Sequence, residues 1–299
     1  FKGVKLDKTN WVIKDFSTQE PGEGAPNGLA SAAIDGKLNT FWHTQWNGGN
    51  PGYPHHFTID LKSMVKLSKV EVFRRQGDSR GQTQFQIFTS LDGTNFVNQG
   101  TFEYDPNLAS QSYNLMTLPM ARYVRYVATQ GPNFFAFLAE IDLYGQVATQ
   151  FNRTNWSIAG FSSEEPAEAN WGPPIQGRAA AAIDGDLSTF WHSAWDAAQP
   201  NYPHYFIVDM KKTMRLMAVE SFRRQNNGNG QTEYKIYTSN DGVNFIDQGT
   251  FAFNSKINNG QMATMTNLPE ARYVKYEATK GPDHYAFLAE FYVYGEELE

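Results

Sequence analysis

Two short stretches of the chain carry an unusual mixture of Asp, Gly, Thr, Trp and His. The first reads AAIDGKLNTFWHTQW and begins at Ala32, and the second reads AAIDGDLSTFWHSAW and begins at Ala181. Calcium takes about six to eight oxygen ligands from carboxylates, hydroxyls and carbonyls. Asp35 and Thr40, five positions apart around a glycine, could supply two of them. On spacing alone, a turn formed by Asp-Gly and capped by Thr is the simpler interpretation.

The second half of each stretch suits a ligand other than a metal. His43 together with His55 gives only two nitrogen ligands, which is too few for a zinc site. Recognition of a sugar needs planar hydrogen-bonding groups for its hydroxyls and an aromatic ring for its C–H face. His43, one arginine of the pair Arg74-Arg75, Gln82 and the pair Phe134-Phe135 could supply that set from separate loops. The counterparts are His192, Arg223-Arg224, Gln231 and His284-Tyr285.

The chain repeats itself over its whole length, which decides the domain organisation. NWVIKDFSTQEP from Asn10 returns as NWSIAGFSSEEP from Asn155, and FRRQ, ARYV and AFLAE each occur once in both halves. The offset between the copies drifts only from 145 to 150 residues, so they differ by small loop insertions. A period of this length is a whole domain rather than a solenoid unit. We therefore predict two modules, residues 1–147 and residues 148–299.

Composition and motifs exclude several classes of function. The net charge of −6 argues against a nucleic-acid partner, and no apolar run is long enough to span a membrane. The chain has no cysteine, so disulfides and thiol chemistry are absent. Neither a nucleophile elbow, a metalloprotease helix, a P-loop nor a dinucleotide fingerprint occurs. We therefore expect a protein that is not an enzyme.

The residue pattern predicts strands almost everywhere. Segments 57–61, 70–73, 85–90, 122–129 and 140–145 are alternating or rich in β-branched and aromatic residues, and Gly, Pro, Asn or Asp bound each of them. The repeated Asp-Gly pairs between strand-like runs favour tight turns. Helical periodicity is weak. Each module therefore reads as an antiparallel β-sandwich with loops gathered at its ends.

The ordered set of motifs resembles the discoidin, or coagulation-factor type C, domain. The segments that carry this resemblance are AIDG, TFWH, YPH, FRRQ, the TS–DG–NF hairpin, ARYV and the closing AFLAE. Together they extend over about 140 residues of each half. The bacterial family 32 carbohydrate-binding modules are the nearest likeness, and the lack of cysteine favours that branch. The resemblance implies an all-β chain of two tandem antiparallel eight-stranded jelly-roll β-sandwiches of the galactose-binding-domain type. It also implies one structural Ca²⁺ per module.

The resemblance places the calcium in the AIDG loop, closed by the late Ala-Glu pair. In the first module the implied ligands are Ala32, Asp35, Lys37, Thr40, Ala139 and Glu140. In the second module they are Ala181, Asp184, Asp186, Thr189, Ala289 and Glu290. Lys37 stands where the second module has Asp186, which the site tolerates if only the main-chain carbonyl binds there.

The same resemblance implies a site for galactose- or N-acetylhexosamine-type sugars on loops at one end. Its residues in the first module are His43, Trp46, Arg74, Gln82, Phe134 and Phe135. In the second they are His192, Trp195, Arg223, Gln231, His284 and Tyr285. Arg74 and Arg223 are chosen because each follows its histidine by 31 positions. Trp46 and Trp195 fit a second aromatic plate and rim packing equally well.

The predicted function is non-catalytic glycan binding by an extracellular or bacterial cell-surface protein. The partner would be a host or dietary polysaccharide or glycoprotein, and a catalytic domain or surface complex could accompany the chain. An alternative from another class is adhesion to phospholipid or protein through exposed aromatic side chains such as Phe134, Phe135, Trp46 and Trp171. The acidic charge of the chain opposes binding to anionic lipid.

Overall fold

The computed structural model describes residues 3–299 and divides into two compact units, one ending at Val147 and one beginning at Ala148. Antiparallel strands make up each unit. Within the described residues there is no α-helix, and no helix is long and apolar enough to cross a membrane. The short 3-10 turns are Pro21–Glu23, Ala30–Ile34, Pro166–Asn170 and Ala179–Ile183.

Ten strands form each module. Those of the first are β1 (Val4–Lys5), β2 (Val12–Phe16), β3 (Trp42–His43), β4 (His55–Phe73), β5 (Gln84–Ser90), β6 (Val97–Glu103), β7 (Ser110–Asn114), β8 (Met120–Gln130), β9 (Phe137–Leu138) and β10 (Glu140–Val147). Those of the second are β11 (Thr149–Gln150), β12 (Ser157–Phe161), β13 (Trp191–His192), β14 (His204–Phe222), β15 (Glu233–Ser239), β16 (Ile246–Ala252), β17 (Gln261–Thr264), β18 (Glu270–Lys280), β19 (Phe287–Leu288) and β20 (Glu290–Glu297).

The long strand β4 belongs to both layers of the first sandwich. Its first part, residues 55–60, pairs with β2 and β8, and its last part, residues 65–73, pairs with β7 and β10. The strand order is β1-β10-β4-β8-β5-β6, with β2 and β7 also paired to β4. The second module repeats this pattern around β14. Two tandem antiparallel β-sandwiches, each with an eight-stranded sheet, are therefore confirmed.

A bend at Lys62 allows β4 to change layers. Lys62 has a left-handed φ of 60°, and the pairing register shifts between Asp60 and Val65. The Asp60 carboxylate accepts hydrogen bonds from the main-chain N–H of Lys62 at 2.8 Å and from Arg122 Nε at 3.0 Å. These bonds offset the cost of the strained residue. The segments 57–61 and 70–73, predicted as separate strands, are therefore two parts of one strand.

Stacked aromatic rings fill the space between the two layers. The Tyr126 ring lies 5.4 Å from that of Phe57 and 5.1 Å from that of Phe85, and all three are fully buried. The Trp42 ring packs edge-on against Phe57 at 5.0 Å and is also fully buried. Trp42 is thus part of the core of the first module. A close-packed core beneath β3 gives the loops that follow it a rigid support.

Candidate functional site

The AIDG loop of the first module gathers oxygen atoms from two parts of the chain. Asp35 Oδ2 lies 2.5 Å from Thr40 Oγ1, which is 3.5 Å from the carbonyl oxygen of Lys37. Gly36 makes the sharp turn between them with a positive φ of 80°. Glu140, at the start of β10, accepts hydrogen bonds through Oε1 from the N–H groups of Gly36 at 2.7 Å and Lys37 at 3.1 Å. The loop is thus joined to β10.

The second module repeats this arrangement with one informative difference. Thr189 Oγ1 lies 2.5 Å from Asp184 Oδ2 and 3.0 Å from the carbonyl oxygen of Asp186. The Asp186 carboxylate accepts hydrogen bonds from the N–H of Ser188 at 2.8 Å and from its hydroxyl at 2.6 Å. Position 186 therefore offers the site its carbonyl, as Lys37 does. The exchange of Asp for Lys therefore leaves the main-chain carbonyl at this position unchanged.

The glutamates that close these loops are buried and strongly perturbed. Burial and the neighbouring Asp35 carboxylate raise the pKa of Glu140 to about 7, and Asp184 acts in the same way on Glu290, whose pKa is also about 7. Lys8 Nζ and Arg153 Nη1 each bond the second carboxylate oxygen at 2.5 Å. Two adjacent carboxylates with one basic partner leave a place where a further positive charge is favourable.

The donors present are compatible with calcium and with no softer metal. In residues 3–299 there is no cluster of three or more His, Cys, Asp and Glu side chains that could hold an ion. A site here must combine two carboxylates and a hydroxyl with main-chain carbonyls, and an all-oxygen set of this kind suits calcium. Ala32, Ala139, Ala181 and Ala289 are buried beside the loops, where the sequence predicted carbonyl ligands.

His43, the last residue of β3, lies at the centre of a second cluster. Its Nδ1 is 2.7 Å from the carbonyl oxygen of Thr44, and because a carbonyl can only accept, Nδ1 carries the proton. Nε2 is thus an acceptor, and it lies 3.9 Å from Glu23 Oε1. Burial lowers the pKa of His43, so the ring is neutral at pH 7. Phe135 stacks on it at 5.1 Å between ring centroids.

The arginine beside this histidine is Arg75, whereas Arg74 was predicted from the sequence. Arg75 Cζ lies 4.0 Å from the ring centroid of Phe41 and 5.7 Å from that of Phe137, whose ring packs against His43. The Arg74 guanidinium turns away and donates from Nη1 to the carbonyl of Pro106 at 2.8 Å. The physical reason is that β4 ends at Phe73, so strand alternation does not continue to these residues.

Gln82 and Gln231, predicted to contact a ligand, are buried and hydrogen-bonded within their own modules. Gln82 is 1% exposed, and its Nε2 donates to the Tyr126 hydroxyl at 2.9 Å and to the Phe137 carbonyl at 2.8 Å. Its Oε1 accepts from the Phe137 N–H at 3.2 Å. Gln231 makes the same three bonds in the second module. These side chains supply hydrogen-bonding partners for the main-chain N–H and carbonyl of Phe137 in β9 and of Phe287 in β19.

The predicted aromatic residues divide into two groups. Phe135 is buried against His43, whereas Phe134 packs edge-on against Phe135 and offers its carbonyl to His55 Nε2 at 2.6 Å. Trp46 is 42% exposed, and its indole N–H donates to Glu23 Oε1 at 3.0 Å. Trp46 therefore contacts the same carboxylate that faces His43. It lies on the border of the cluster and not in the core.

Glu23 completes the cluster, and no prediction from sequence included it. It ends the 3-10 turn that begins at Pro21, and this turn places its carboxylate between His43 and Trp46. Its counterpart Glu168 lies 4.0 Å from His192 Nε2. The signal was the segment Glu-Pro-x-Glu, which occurs at the same place in both modules.

The second module reproduces the whole cluster. His192 Nδ1 is 2.7 Å from the Ser193 carbonyl, its ring lies 5.1 Å from Tyr285, and Trp195 donates its indole N–H to Glu168 at 3.0 Å. Arg224 Cζ lies 4.0 Å from the Phe190 centroid, while Arg223 donates to the Ser255 carbonyl at 2.7 Å and to Asn258. Arg224, and not the predicted Arg223, thus lies beside the histidine cluster. The ring of His284 packs edge-on against Tyr285.

The two arginines are available to a ligand. Within residues 3–299, neither the Arg75 nor the Arg224 guanidinium donates a hydrogen bond to another group, and both side chains are partly exposed. Each cluster therefore presents planar donors, a neutral imidazole acceptor, a carboxylate and aromatic faces within one small area. This is a combination that can bind paired hydroxyls and an apolar ring face together.

Comparison with curated proteins gives two relatives that are much longer than the matched segments. A sialidase of Micromonospora viridifaciens is 33% identical over 153 residues, which is 47% of this chain and 22% of the sialidase. A galactose oxidase of Gibberella zeae is 31% identical over 192 residues, which is 61% of this chain and 25% of the oxidase. The chain thus spans about a quarter of the length of these relatives.

Solved structures with similar folds include family 32 carbohydrate-binding modules. The C-terminal domain of a chitobiase from Bacteroides fragilis is 35% identical, with a TM-score of 0.46 over 49% of this chain and 100% of that domain. A family 32 module from Clostridium perfringens, in complex with GalNAc-β-1,3-galactose, is 28% identical, with a TM-score of 0.44 over 47% of this chain and 99% of the module.

The family assignment comes from the match to a family model. The F5/8 type C domain matches twice, over residues 13–141 and residues 159–291, so the matched segments cover most of the chain. Each segment contains most of the β-sandwich, the oxygen-rich loop and the histidine cluster of its module. The chain therefore belongs to the F5/8 type C, or discoidin, family and carries two copies of its domain.

Proposed function

We propose that each module binds a carbohydrate without catalysis, with galactose- or N-acetylhexosamine-type sugars as the preferred class. The observation that carries this proposal is the cluster of His, Glu, Arg and aromatic side chains, which is present in both modules with nearly the same distances. The distance from the histidine Nε2 to the glutamate Oε1 differs by only 0.1 Å between the copies, at 3.9 and 4.0 Å. A repeated cluster of polar groups with unused hydrogen-bonding capacity points to a ligand.

The chemistry of the cluster suits a neutral sugar. His43 Nε2 and the Glu23 carboxylate accept hydrogen bonds from hydroxyls, and the Arg75 guanidinium donates to sugar oxygens. The charges of Glu23 and Arg75 offset one another, so an ionic ligand is not needed to balance the site. The partly exposed ring of Trp46 borders these groups, where an apolar face of the sugar can pack.

Adhesion to lipid fits the aromatic residues less well. Phe135 is buried, Phe134 is partly buried, and the Trp46 indole is hydrogen-bonded to Glu23. Trp171 is exposed, but it has no counterpart in the first module. Residues that insert into a membrane interface need apolar tips directed outward. A repeated set of neutral histidine, carboxylate and free guanidinium has no role in such insertion.

A glycan array of the intact chain, run beside flotation with phosphatidylserine-containing liposomes, tests the proposal. We expect binding to glycans that end in galactose or an N-acetylhexosamine, with millimolar affinity per site and no flotation. A millimolar site corresponds to about −4 kcal/mol, so two sites in one chain would favour multivalent glycans. Flotation with a silent array would refute the proposal and support the lipid alternative.

We further propose that each oxygen-rich loop holds one structural calcium ion. The ligands in the first module would be the side chains of Asp35, Thr40 and Glu140, with the carbonyls of Ala32, Lys37 and Ala139. Those in the second would be Asp184, Thr189 and Glu290, with the carbonyls of Ala181, Asp186 and Ala289. The bound ion would supply a positive charge that links the loop to the first residue of β10 or β20.

Removal of calcium is therefore expected to lower the thermal midpoint of unfolding. A ligand that binds only the folded state stabilises it by an amount that grows with its concentration over its Kd, about 2.7 kcal/mol at a hundredfold excess. The measurement is a thermal melt in EDTA, with and without excess Ca²⁺, and with Mg²⁺ as the control ion. Asp35→Asn combined with Asp184→Asn should abolish the calcium shift. Melts that EDTA and Ca²⁺ leave unchanged would contradict the calcium assignment.

The setting of the chain is also a proposal. Its relatives include a sialidase and a galactose oxidase that extend far beyond the matched segments. We infer that the two modules act outside the cell, beside a catalytic domain or in a surface complex. In that setting they would hold the assembly on a polysaccharide or glycoprotein.

A further inference from the structure

We propose that the site of the second module extends beyond one sugar and that Trp171 forms a platform for a second ring. This inference rests on the proposed function and deepens it, because it assigns the two modules different ligands. The first module would take a single terminal sugar. The second would take a terminal sugar together with the residue linked to it.

Trp171 lies in a loop that is longer in the second module. Gly28 follows Glu23 by five positions, whereas its counterpart Gly177 follows Glu168 by nine. Both glycines occupy the same place in the fold, because each forms an isolated bridge to the buried tryptophan, Trp42 or Trp191. The extra residues therefore enter between the site glutamate and the core. Trp171 has no counterpart in the first module.

The indole of Trp171 continues the border of the site. Its ring lies 6.1 Å from that of Trp195 with an angle of 31° between the planes. Trp195 in turn donates its N–H to Glu168, which faces His192. The order from the centre outward is therefore His192, Glu168, Trp195 and Trp171. A sugar held at His192 would direct its linked neighbour over the two indoles.

The longer loop is held in place before any ligand arrives. The main-chain N–H of Trp171 donates to the Glu168 carbonyl at 3.0 Å. At the far end of the loop, the buried Gln176 side chain donates to the Ser188 carbonyl at 3.3 Å and accepts from the Phe190 N–H at 3.0 Å. A platform anchored at both ends loses little conformational entropy on binding.

Trp171 is largely exposed to solvent although its ring lies beside that of Trp195. Its side chain is 73% exposed, against 42% for Trp46. An aromatic ring that remains open to solvent while its loop is anchored has area to bury against a ligand. A separate loop of the first module carries the ion pair of Asp78 and Arg80, with the Arg80 guanidinium 5.4 Å from the Phe135 ring. The second module has Asn227 and Asn229 in that loop.

The test compares a monosaccharide with a disaccharide that ends in it, N-acetylgalactosamine and GalNAc-β-1,3-galactose. The intact chain carries Arg75→Ala to silence the first module, and calorimetric titration follows the second. Trp171→Ala is expected to lower affinity for the disaccharide by about tenfold, the equivalent of roughly 55 Å² of buried apolar surface. Affinity for the monosaccharide should stay unchanged. Trp171→Phe, which keeps an aromatic ring, should retain most of the disaccharide affinity.

Two outcomes would contradict the proposal that Trp171 forms a platform for a second sugar. An equal loss for both sugars would make Trp171 a support for Trp195, and no loss for either would leave it without a role in binding. The anchoring site is tested separately by Arg224→Ala in the same background. If that variant bound both sugars normally, the proposed function would fail whatever the result for Trp171.

Discussion

Replacement of Arg75 and Arg224 by alanine in one chain is expected to lower glycan affinity by about hundredfold. Each guanidinium is partly exposed beside its histidine, and it donates to no group within the described residues. A hydrogen bond from a charged donor to a ligand contributes about 1.5–3 kcal/mol, and its loss leaves sugar oxygens unpaired. Because both sites change together, multivalent binding cannot mask the loss. The measurement is titration with the best glycan from the array.

The neighbouring arginines provide the matched control. Arg74→Met and Arg223→Met keep the length of the side chain and remove the guanidinium that bonds the carbonyls of Pro106 and Ser255. We expect these variants to melt at a lower temperature and to bind glycan as the unmodified chain does. If affinity were instead lost on replacement of Arg74 and Arg223 alone, these two arginines would contact the glycan, as predicted from the sequence. The assignment of Arg75 and Arg224 to the site would then be wrong.

Which of two adjacent arginines lies beside the histidine could not be predicted from the sequence. The repeat, the strands and the two loops follow from residue pattern, because alternation and turn residues act locally. Neighbouring residues face opposite sides only while a strand continues, and β4 ends one residue before Arg74. Which guanidinium reaches His43 depends on the loop beyond that point. No local pattern carries this information.

Glu23 and Gln82 show the same limit in opposite directions. Gln82 lies in a polar loop and was predicted to contact a sugar, yet its side chain instead hydrogen-bonds the main-chain carbonyl and N–H of Phe137. No prediction from sequence included Glu23, yet the 3-10 turn that it ends places its carboxylate near His43. Each role depends on a partner far away in sequence. The repeated Glu-Pro-x-Glu segment was the one local sign of either.

Gln82→Leu is expected to lower the free energy of unfolding of the first module by about 3 kcal/mol. The substitution removes three buried hydrogen bonds and leaves the N–H and carbonyl of Phe137 and the Tyr126 hydroxyl unpaired. A buried polar group without a partner costs about 1–3 kcal/mol, so the sum is a large share of the stability of one domain. Gln231→Leu should act alike on the second module. Denaturant unfolding of each variant gives the measurement.

Gln86 offers a control on the neighbouring strand β5. Its side chain is partly exposed and bonds only the Thr101 hydroxyl at 3.0 Å, so Gln86→Leu should change the free energy of unfolding by less than about 0.5 kcal/mol. If Gln82→Leu instead left stability unchanged and lowered glycan affinity, the amide would be a ligand group after all. A loss of stability with the sugar still bound at saturating concentration would place Gln82 in the scaffold. It would show that Gln82 supports the strand edge behind His43 and does not itself contact the glycan.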